Sequence, residues 1–198
     1  MQVRAAQTGL TSQFEQALVY ATIVHSGQRR KGTGVPYVSH LLGVASIALE
    51  YGANEDEAIA ALLHDAVEDA GGRARLEDIR RRFGDTVAAI VDECTDADTI
   101  PKPPWLERKV KYVAHIRQAS KSAQLVSAAD KLHNARSILK DYRVEGGRLW
   151  TRFNGGREGT LWYYRALVEA FRSTGNNELF AELDRVVSEI ETAAGSGE

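Results

Sequence analysis

The chain has 198 residues, a net charge of −2 and a single cysteine, Cys94. This length is enough for one full hydrophobic core, whereas two domains would each be small. The charge excludes a global basic field for duplex nucleic acid, and the lone cysteine excludes a disulfide within the chain. No apolar run approaches the roughly 18 residues of a membrane helix, and the N-terminal residues carry no apolar leader core. We therefore expect a cytoplasmic protein with no nucleic-acid or membrane partner.

Apolar residues recur with helical spacing along most of the chain, beginning at a Thr11/Ser12 cap. The spacing predicts helices over about 12–25, 39–52, 55–63, 76–83, 87–94, 105–119, 121–141, 157–173 and 177–192. Segments rich in glycine or proline separate them at 27–37, 96–104 and 144–156. No alternating strand pattern of convincing length is present. We predict an all-α fold, a single helical bundle over 1–198 with its core at about 12–193 and frayed tails at 1–10 and 194–198.

Polar side chains interrupt three of these apolar helices. His40 lies in the second, His64 and Asp65 are adjacent at the end of the third, and Asp130 lies in the stretch AQLVSAADKLHNA. An ionised carboxylate is costly to bury unless something positive compensates its charge. We therefore predict that these four residues share one metal ion. Two imidazoles and two carboxylates suit Mn²⁺, Fe²⁺ or Zn²⁺, and the donor set does not separate these ions.

Two further carboxylates, Glu68 and Asp69, follow His64 and Asp65 by one helical turn. Residues four apart share a helix face, so His64 is expected near Glu68 and Asp65 near Asp69. A salt-bridge cluster at a helix end is the alternative interpretation. A helix C-terminus disfavours carboxylates, however, and this favours a bound cation.

A basic loop precedes His40 and contains Arg30, Lys31 and Tyr37. Basic side chains at this place suggest contacts with a phosphate or a base, although a solvated charged loop is an equal alternative. Asp130 is followed by two polar residues, Lys131 and Asn134. These also are expected either to contact a ligand or to lie on the solvated surface. The remaining histidines, which are His25, His115 and His133, are expected to be structural or exposed.

Four segments of the chain together resemble a known family: RRKGTGVPYVSHLLGVA, ALLHDAVEDA, IRRRFGDTVAAIVDECTD and VSAADKLHNARSI. The ligand order is similar to that of HD-domain phosphohydrolases. The full sequence of the four segments resembles the hydrolase domain of RelA/SpoT-type enzymes, and especially the small alarmone hydrolases of the metazoan SpoT-homologue type. The resemblance covers about residues 12–175. It implies a Mn²⁺-dependent guanosine-3′,5′-bis(diphosphate) 3′-pyrophosphohydrolase, which converts ppGpp or pppGpp of the stringent response to GDP or GTP and pyrophosphate.

The same resemblance assigns roles to individual residues. It implies metal ligation by His40, His64, Asp65 and Asp130, and catalysis by the acidic pair Glu68 and Asp69. It implies contact of the nucleotide substrate with Arg30, Lys31, Tyr37 and Asn134. The C-terminal segment WTRFNGGREGTLWYYRAL lies where the family completes its pocket, and we expect substrate contacts from Arg157, Trp162 and Tyr163.

Some features leave other functions open. The family's synthetase domain has no counterpart in these residues, so the chain is not expected to make the alarmone. The distinctive C-terminal segment leaves the base preference open, including an adenosine alarmone. An HD nucleotidase or phosphodiesterase acting on another phosphorylated nucleotide is one alternative, and a sensor that binds alarmone without cleaving it is another. Glu68 and Asp69 argue against the sensor, because binding alone does not require them.

Overall fold

Helices form nearly all the regular structure in the computed structural model, which describes residues 9–96 and 103–195. In chain order they are α1 (Ser12–Val24), α2 (Val38–Glu50), α3 (Glu55–Leu63), α4 (Ala66–Asp69), α5 (Gly72–Cys94), α6 (Trp105–Ile116), α7 (Lys121–Glu145), a 3₁₀ segment (Gly146–Arg152), α8 (Gly156–Ser173) and α9 (Glu178–Gly195). Within the described ranges, extended pairing is limited to one isolated antiparallel bridge, between Arg29 and Pro36. The all-α prediction is confirmed.

Side-chain caps explain where several helices begin. Thr11 accepts a hydrogen bond from the backbone N–H of Gln13 at the start of α1. Asn54 and Glu57 form a reciprocal capping box at the start of α3. Ser120 accepts from the backbone N–H of Ala123 at the start of α7. Each cap satisfies backbone donors that have no partner inside the helix, which fixes the point where the helix starts.

Helix α7 lies at the centre of the molecule and packs against α2, α3, α5, α8, α9 and the 3₁₀ segment. Helix α3 is buried on all sides from Glu57 to Leu63, as its nearly continuous apolar sequence predicts. A hydrophobic cluster joins buried residues from α1 through α9. The neighbouring positions of α2, α3 and α7 bring the three interrupted helices of the sequence together.

Several helix ends differ from the predicted ones. The two helices predicted at 76–83 and 87–94 form α5, which is interrupted at Gly84, where φ is +91° and ψ is 172°. Helix α9 extends to Gly195 with Ala194 buried, so the tail predicted to fray from residue 194 is partly helical, because Ala194 packs in the core. Residues 97–102 of the predicted 96–104 loop lie outside the described residues, as do 1–8 and 196–198. No helix in the described ranges is long and apolar enough to cross a membrane.

Candidate metal and nucleotide site

Four side chains from three parts of the fold meet at one point: His40 of α2, His64 and Asp65 between α3 and α4, and Asp130 of α7. The Nε2 atom of His40 lies 3.4 Å from Asp65 Oδ2 and 3.2 Å from Asp130 Oδ1. The Nε2 atom of His64 lies 3.1 Å from Asp65 Oδ2 and 3.7 Å from Asp130 Oδ1. We call these four residues the His/Asp cluster. The structure therefore brings together all four side chains that were predicted to share a metal ion.

The backbone break between α3 and α4 orients His64. Its Nδ1 atom lies 2.8 Å from the backbone oxygen of Ala61, an acceptor, so Nδ1 carries a proton and donates to that oxygen. The Nε2 atom is buried and faces the carboxylates, 3.1 Å from Asp65 Oδ2 but without the geometry of a hydrogen bond. Metal-binding histidines commonly have one ring nitrogen fixed by a backbone carbonyl in this way. The geometry leaves the second nitrogen of His64 ready to bind a cation.

The charges in the cluster also suit a cation. Burial disfavours the charged forms of Asp65 and Asp130, but nearby positive groups outweigh it and hold the pKa of each carboxyl well below its usual value. For Asp65 the charge of His64 comes first and the contact with His40 adds to it, and for Asp130 the charge of Lys131 comes first. Burial likewise opposes charge on His64, yet the two carboxylates raise its pKa well above the usual value. The cluster is thus a buried anionic site.

The donor atoms are close enough to bind one ion. His40, His64 and Asp65 each offer one ligand atom, and these three atoms lie within 4.8 Å of one another. Asp130 adds a carboxylate oxygen at the distances given above. Two nitrogen and two oxygen donors, together with an unpaired buried nitrogen, fit a divalent transition metal. The residues present therefore fit a metal ion on both geometry and donor chemistry.

The acidic pair lies on α4, immediately after the cluster. Glu68 is half-buried, and Asp69 is exposed. The Oδ2 atom of Asp69 accepts a 2.8 Å hydrogen bond from Gln28, whose Oε1 lies 2.7 Å from His25 Nδ1. Asp69 is thereby connected to the start of the basic loop.

The basic loop is connected to the cluster by hydrogen bonds. Arg30 donates to Asn134 Oδ1 at 2.6 Å, and Asn134 donates to Asp130 Oδ1 at 2.6 Å. The Tyr37 hydroxyl donates to Asp65 Oδ2 at 2.6 Å. Lys31 is exposed, and its Nζ lies 3.4 Å from Asn154 Oδ1. Tyr37 and Asn134 thus contact the cluster directly, and Arg30 is connected to it through Asn134. These hydrogen bonds exclude a purely solvated loop for Arg30 and Tyr37.

A cavity of about 550 Å³ lies beside the cluster, between the basic loop, α6, α7, the 3₁₀ segment and α8. Aromatic rings and several basic side chains line it, and Asp141 is the acidic residue among the lining set. The basic lining residues are Arg30, Lys31, Lys109, Lys131, Lys140 and Arg152. A cavity with this surplus of positive charge is suited to a ligand that carries several phosphates.

Of the three residues of the C-terminal segment that were predicted to contact substrate, one lines the cavity. Tyr163 lines the cavity. Trp162 is 40% exposed and packs edge-on against Trp105, while Arg157 donates to the backbone oxygen of Ala194 at 3.0 Å. Neither Trp162 nor Arg157 belongs to the cavity wall, because α8 turns them towards the surface and towards α9.

The glycines of this segment have a packing role. A Cβ atom at Gly155 would lie 2.6 Å from the Trp105 ring, and one at Gly159 would lie 3.1 Å from it. The segment NGGREG therefore lets α8 approach Trp105 of α6 closely. This contact supports the wall of the cavity that contains Tyr163.

Comparison with known proteins identifies the family. A model of the HD domain matches residues 17–161. The chain belongs to the HD-domain family. Among curated relatives, the guanosine-3′,5′-bis(diphosphate) 3′-pyrophosphohydrolase MESH1 of Xenopus tropicalis is 43% identical over 128 residues, which are 63% of this chain and 69% of the relative. The MESH1 protein of Drosophila melanogaster is 34% identical over 179 residues, covering 89% of this chain and 93% of the relative.

A solved structure supports the same assignment. It is described as a metazoan orthologue of SpoT that hydrolyses ppGpp, and it is 31% identical with a TM-score of 0.76. The alignment covers 92% of this chain and 97% of that structure. The predicted resemblance to the SpoT-type members of the HD-domain family is confirmed.

One residue of this HD-domain site, His133, was missed by sequence reasoning. Its Nδ1 lies 2.9 Å from Nδ1 of His40, and a Cβ atom at Gly43 would lie 2.3 Å from its ring. Burial, together with nearby positive charge such as that of Arg30, lowers the pKa of His133 to about 4, so its ring is neutral and can share a proton with His40 Nδ1. A usable sequence signal was the matched spacing: Gly43 follows His40 by three residues, and His133 follows Asp130 by three.

Proposed function

We propose that this chain is a metal-dependent pyrophosphohydrolase that removes the 3′-pyrophosphate of ppGpp or pppGpp and releases GDP or GTP. The observation that carries the proposal is the basic cavity placed directly beside the His/Asp cluster. Relatives named for this reaction match the chain over most of their length. The proposed partner is a small nucleotide, and a reducing compartment such as the cytoplasm suits the free, buried thiol of Cys94.

In this proposal His40, His64, Asp65 and Asp130 hold one Mn²⁺ ion. When bound, the ion supplies Lewis-acid activation of water and of a phosphoryl oxygen. Mn²⁺ is the ion that we propose, and the same four donors also suit Fe²⁺ or Zn²⁺. Tyr37 orients Asp65 through its 2.6 Å hydrogen bond, and the Asn134 amide does the same for Asp130.

The chain's own groups then bind the substrate and move protons. Arg30 and Lys31 neutralise phosphate charge at the mouth of the cavity, and the rings of Tyr37 and Tyr163 border the nucleotide. Glu68 and Asp69, one turn beyond the cluster, accept the proton of the attacking water. The new bond joins the water oxygen to the 3′ phosphorus, and the bond from that phosphorus to the ribose 3′ oxygen breaks. The ribose oxygen takes up a proton to become the 3′ hydroxyl, and pyrophosphate leaves. Such transfer depends mainly on positioning and charge stabilisation.

Product analysis tests this proposal. With ppGpp and Mn²⁺, we expect GDP and intact pyrophosphate in equal amounts, and no orthophosphate as a first product. EDTA should stop the reaction, and Mn²⁺ added in excess should restore it. Orthophosphate as the first product would instead indicate a monoesterase, and tight binding without turnover would indicate a sensor. Faster turnover of the adenosine analogue would overturn the guanosine assignment.

A further inference from the structure

Two buried lysines lie at the inner end of the cavity, on α6 and α7. Lys131 Nζ lies 2.6 Å from Asp130 Oδ2, so this ammonium directly adjoins the His/Asp cluster. Lys109 Nζ lies 2.7 Å from Asp96 Oδ2 and 4.9 Å from the centroid of the Tyr163 ring. Both lysine side chains are mostly buried, with exposed fractions of 17% for Lys109 and 15% for Lys131. Both nevertheless line the cavity.

A hydroxyl without a partner lies among the same groups. Tyr163 is buried, with only 7% of its surface exposed, and its hydroxyl makes no hydrogen bond. Its electrostatic neighbours are Lys131, Tyr112, Asp96 and Asp130, which places the hydroxyl at this inner end of the cavity. A buried hydroxyl without a partner costs free energy, so it is expected to have one in the working state.

The positive charge of Lys131 also disfavours the charged form of Lys109. Burial, and then the charge of Lys131, lowers the pKa of Lys109 below its usual value. Asp96 opposes this effect with one carboxylate oxygen, which also accepts a hydrogen bond from Arg108. Asp96 thereby holds Lys109 charged and in place. Two ammonium groups and one free hydroxyl around the same space form a site for an anion with several acceptor oxygens.

We propose that Lys109, Lys131 and Tyr163 bind the terminal phosphate of the 3′-diphosphate, and that Asp96 is the positioning residue for Lys109. The phosphorus under attack must lie at the His/Asp cluster, and Lys131 is the cation that touches the cluster directly. The next phosphate therefore reaches the lysine pair. A terminal phosphate carries more charge than a bridging one, which matches two cations in a poorly hydrated place. The subsite distinguishes a 3′-diphosphate from a 3′-monophosphate, and it rests on the proposed function.

The test uses Lys109→Met, which keeps the length of the side chain and removes its charge. Lys111→Met on the same helix is the matched control, because Lys111 is 71% exposed and pairs with Glu107. The first readout is kcat/KM for ppGpp relative to its analogue with a single 3′-phosphate. The second is the inhibition constant of inorganic pyrophosphate, measured at constant free Mn²⁺.

We expect Lys109→Met to weaken pyrophosphate binding by about tenfold or more, the usual scale for a lost charge-assisted hydrogen bond. The preference for ppGpp over the 3′-monophosphate analogue should fall by a similar factor. Lys109→Arg should keep most of the pyrophosphate binding and most of the preference for ppGpp. Tyr163→Phe should weaken the binding and lower the preference, but by smaller factors. Lys111→Met should leave the binding and the preference unchanged. Equal losses on both substrates, or unchanged pyrophosphate inhibition in both Lys109→Met and Tyr163→Phe, would overturn the subsite.

The outcome separates this proposal from the proposed function. Pyrophosphate binding can be measured by calorimetry on the Mn²⁺-loaded protein without any turnover. If the unaltered chain fails to cleave ppGpp but Lys109→Met still weakens pyrophosphate binding, the subsite stands and the reaction is wrong. If ppGpp is cleaved and the variant behaves as the unaltered chain, the subsite is wrong and the reaction stands.

Discussion

At the scale of single residues, the site depends on which nitrogen of each histidine carries a proton. His64 is fixed by the backbone oxygen of Ala61, whereas His40 is fixed by another imidazole, His133. A histidine is an acceptor only on its unprotonated nitrogen. A proton on His40 Nδ1, accepted by Nδ1 of the neutral His133 ring, is the arrangement that leaves His40 Nε2 free for a cation. Second partners of this kind commonly tune metal affinity by tenfold or more.

The space for His133 depends on Gly43, and this gives the first prediction. Gly43→Ala would place a Cβ atom 2.3 Å from the His133 ring, so the ring must move away from His40. We expect Mn²⁺ affinity, measured by calorimetry, to fall by about tenfold. Ser46→Ala, on the exposed face of α2, is the control. Alanine normally stabilises a helix relative to glycine, so unchanged metal affinity with a higher Tm would show that His133 does not position His40.

The second prediction concerns proton transfer by Glu68. Glu68→Gln keeps the shape of the side chain and removes its basicity, so kcat for ppGpp should fall by at least about a hundredfold. Metal content, measured by elemental analysis, and KM should change little. Glu169→Gln, an exposed change on α8, is the control. A kcat close to that of the unaltered chain would leave Glu68 as a structural partner at the end of α4.

At the scale of helices, the cavity wall depends on how closely α6 and α8 approach. Trp105 of α6 contacts Tyr163 and Trp162 of α8 edge-on, with ring centroids 6.3 and 6.4 Å apart. Gly155 and Gly159 leave the space for its indole. The glycine-rich sequence before α8 is therefore explained by packing, and this packing places Tyr163 in the cavity wall.

This packing gives the third prediction. Gly155→Ala would place a Cβ atom 2.6 Å from the Trp105 ring, and overpacking of this kind costs about 1–3 kcal/mol. We expect a lower free energy of unfolding in urea and a higher KM for ppGpp, because the wall with Tyr163 moves. Gly147→Ala is the control, since a Cβ atom there meets nothing within 4 Å. Equal stability of the two variants would contradict a close contact between α6 and α8.

An ion pair between α7 and α9 gives the fourth prediction, on pH. Arg185 and Arg136 lower the pKa of Glu182 to about 2, against the effect of burial. A lowered carboxyl pKa stabilises the fold above the unfolded value of about 4.3, and this stabilisation is lost as the pH falls towards 2. Glu182→Gln should therefore lower the free energy of unfolding by less than about 1 kcal/mol at pH 7, since Arg136 and Arg185 are about half exposed and solvent screens their charges. The difference in stability between Glu182→Gln and the unaltered chain should disappear as the pH falls from about 4.3 to 2, and Tm measurements would show this. A difference in Tm that stays constant over this pH range would contradict the prediction.

At the scale of the whole molecule, charge is unevenly distributed. The chain has a net charge of −2, yet the lysine and arginine side chains that line its cavity outnumber the acidic ones. The His/Asp cluster beside the cavity is anionic and needs a cation to balance it. A polyphosphate can therefore enter the basic cavity while a metal ion occupies the acidic cluster, although the overall charge favours neither ligand.

The fifth prediction follows from this distribution. Lys31 is exposed at the cavity mouth, so Lys31→Ala should raise the KM for ppGpp by several-fold and change kcat little, because its contact serves ground and transition states alike. The effect should shrink as salt is added from 0.05 to about 0.3 M, since exposed charges are screened. Lys140→Ala, at another exposed lysine of the lining set, provides a comparison. A salt-independent effect on kcat would instead place Lys31 in the chemical step.

The sequence by itself predicted the all-α class, the cap of α1 and the four residues of the His/Asp cluster. These features are local: a cap acts on the next turn, and a carboxylate in an apolar helix needs a compensating charge wherever that helix lies. Only the tertiary structure decided that His133 contacts His40, that Lys109 and Lys131 meet at one end of the cavity, and that Arg157 turns to α9. These residues lie on different helices and become neighbours only because α2, α6, α7, α8 and α9 pack together. Helical spacing predicts which residues share a face of one helix, but it does not predict which residue of another helix that face contacts.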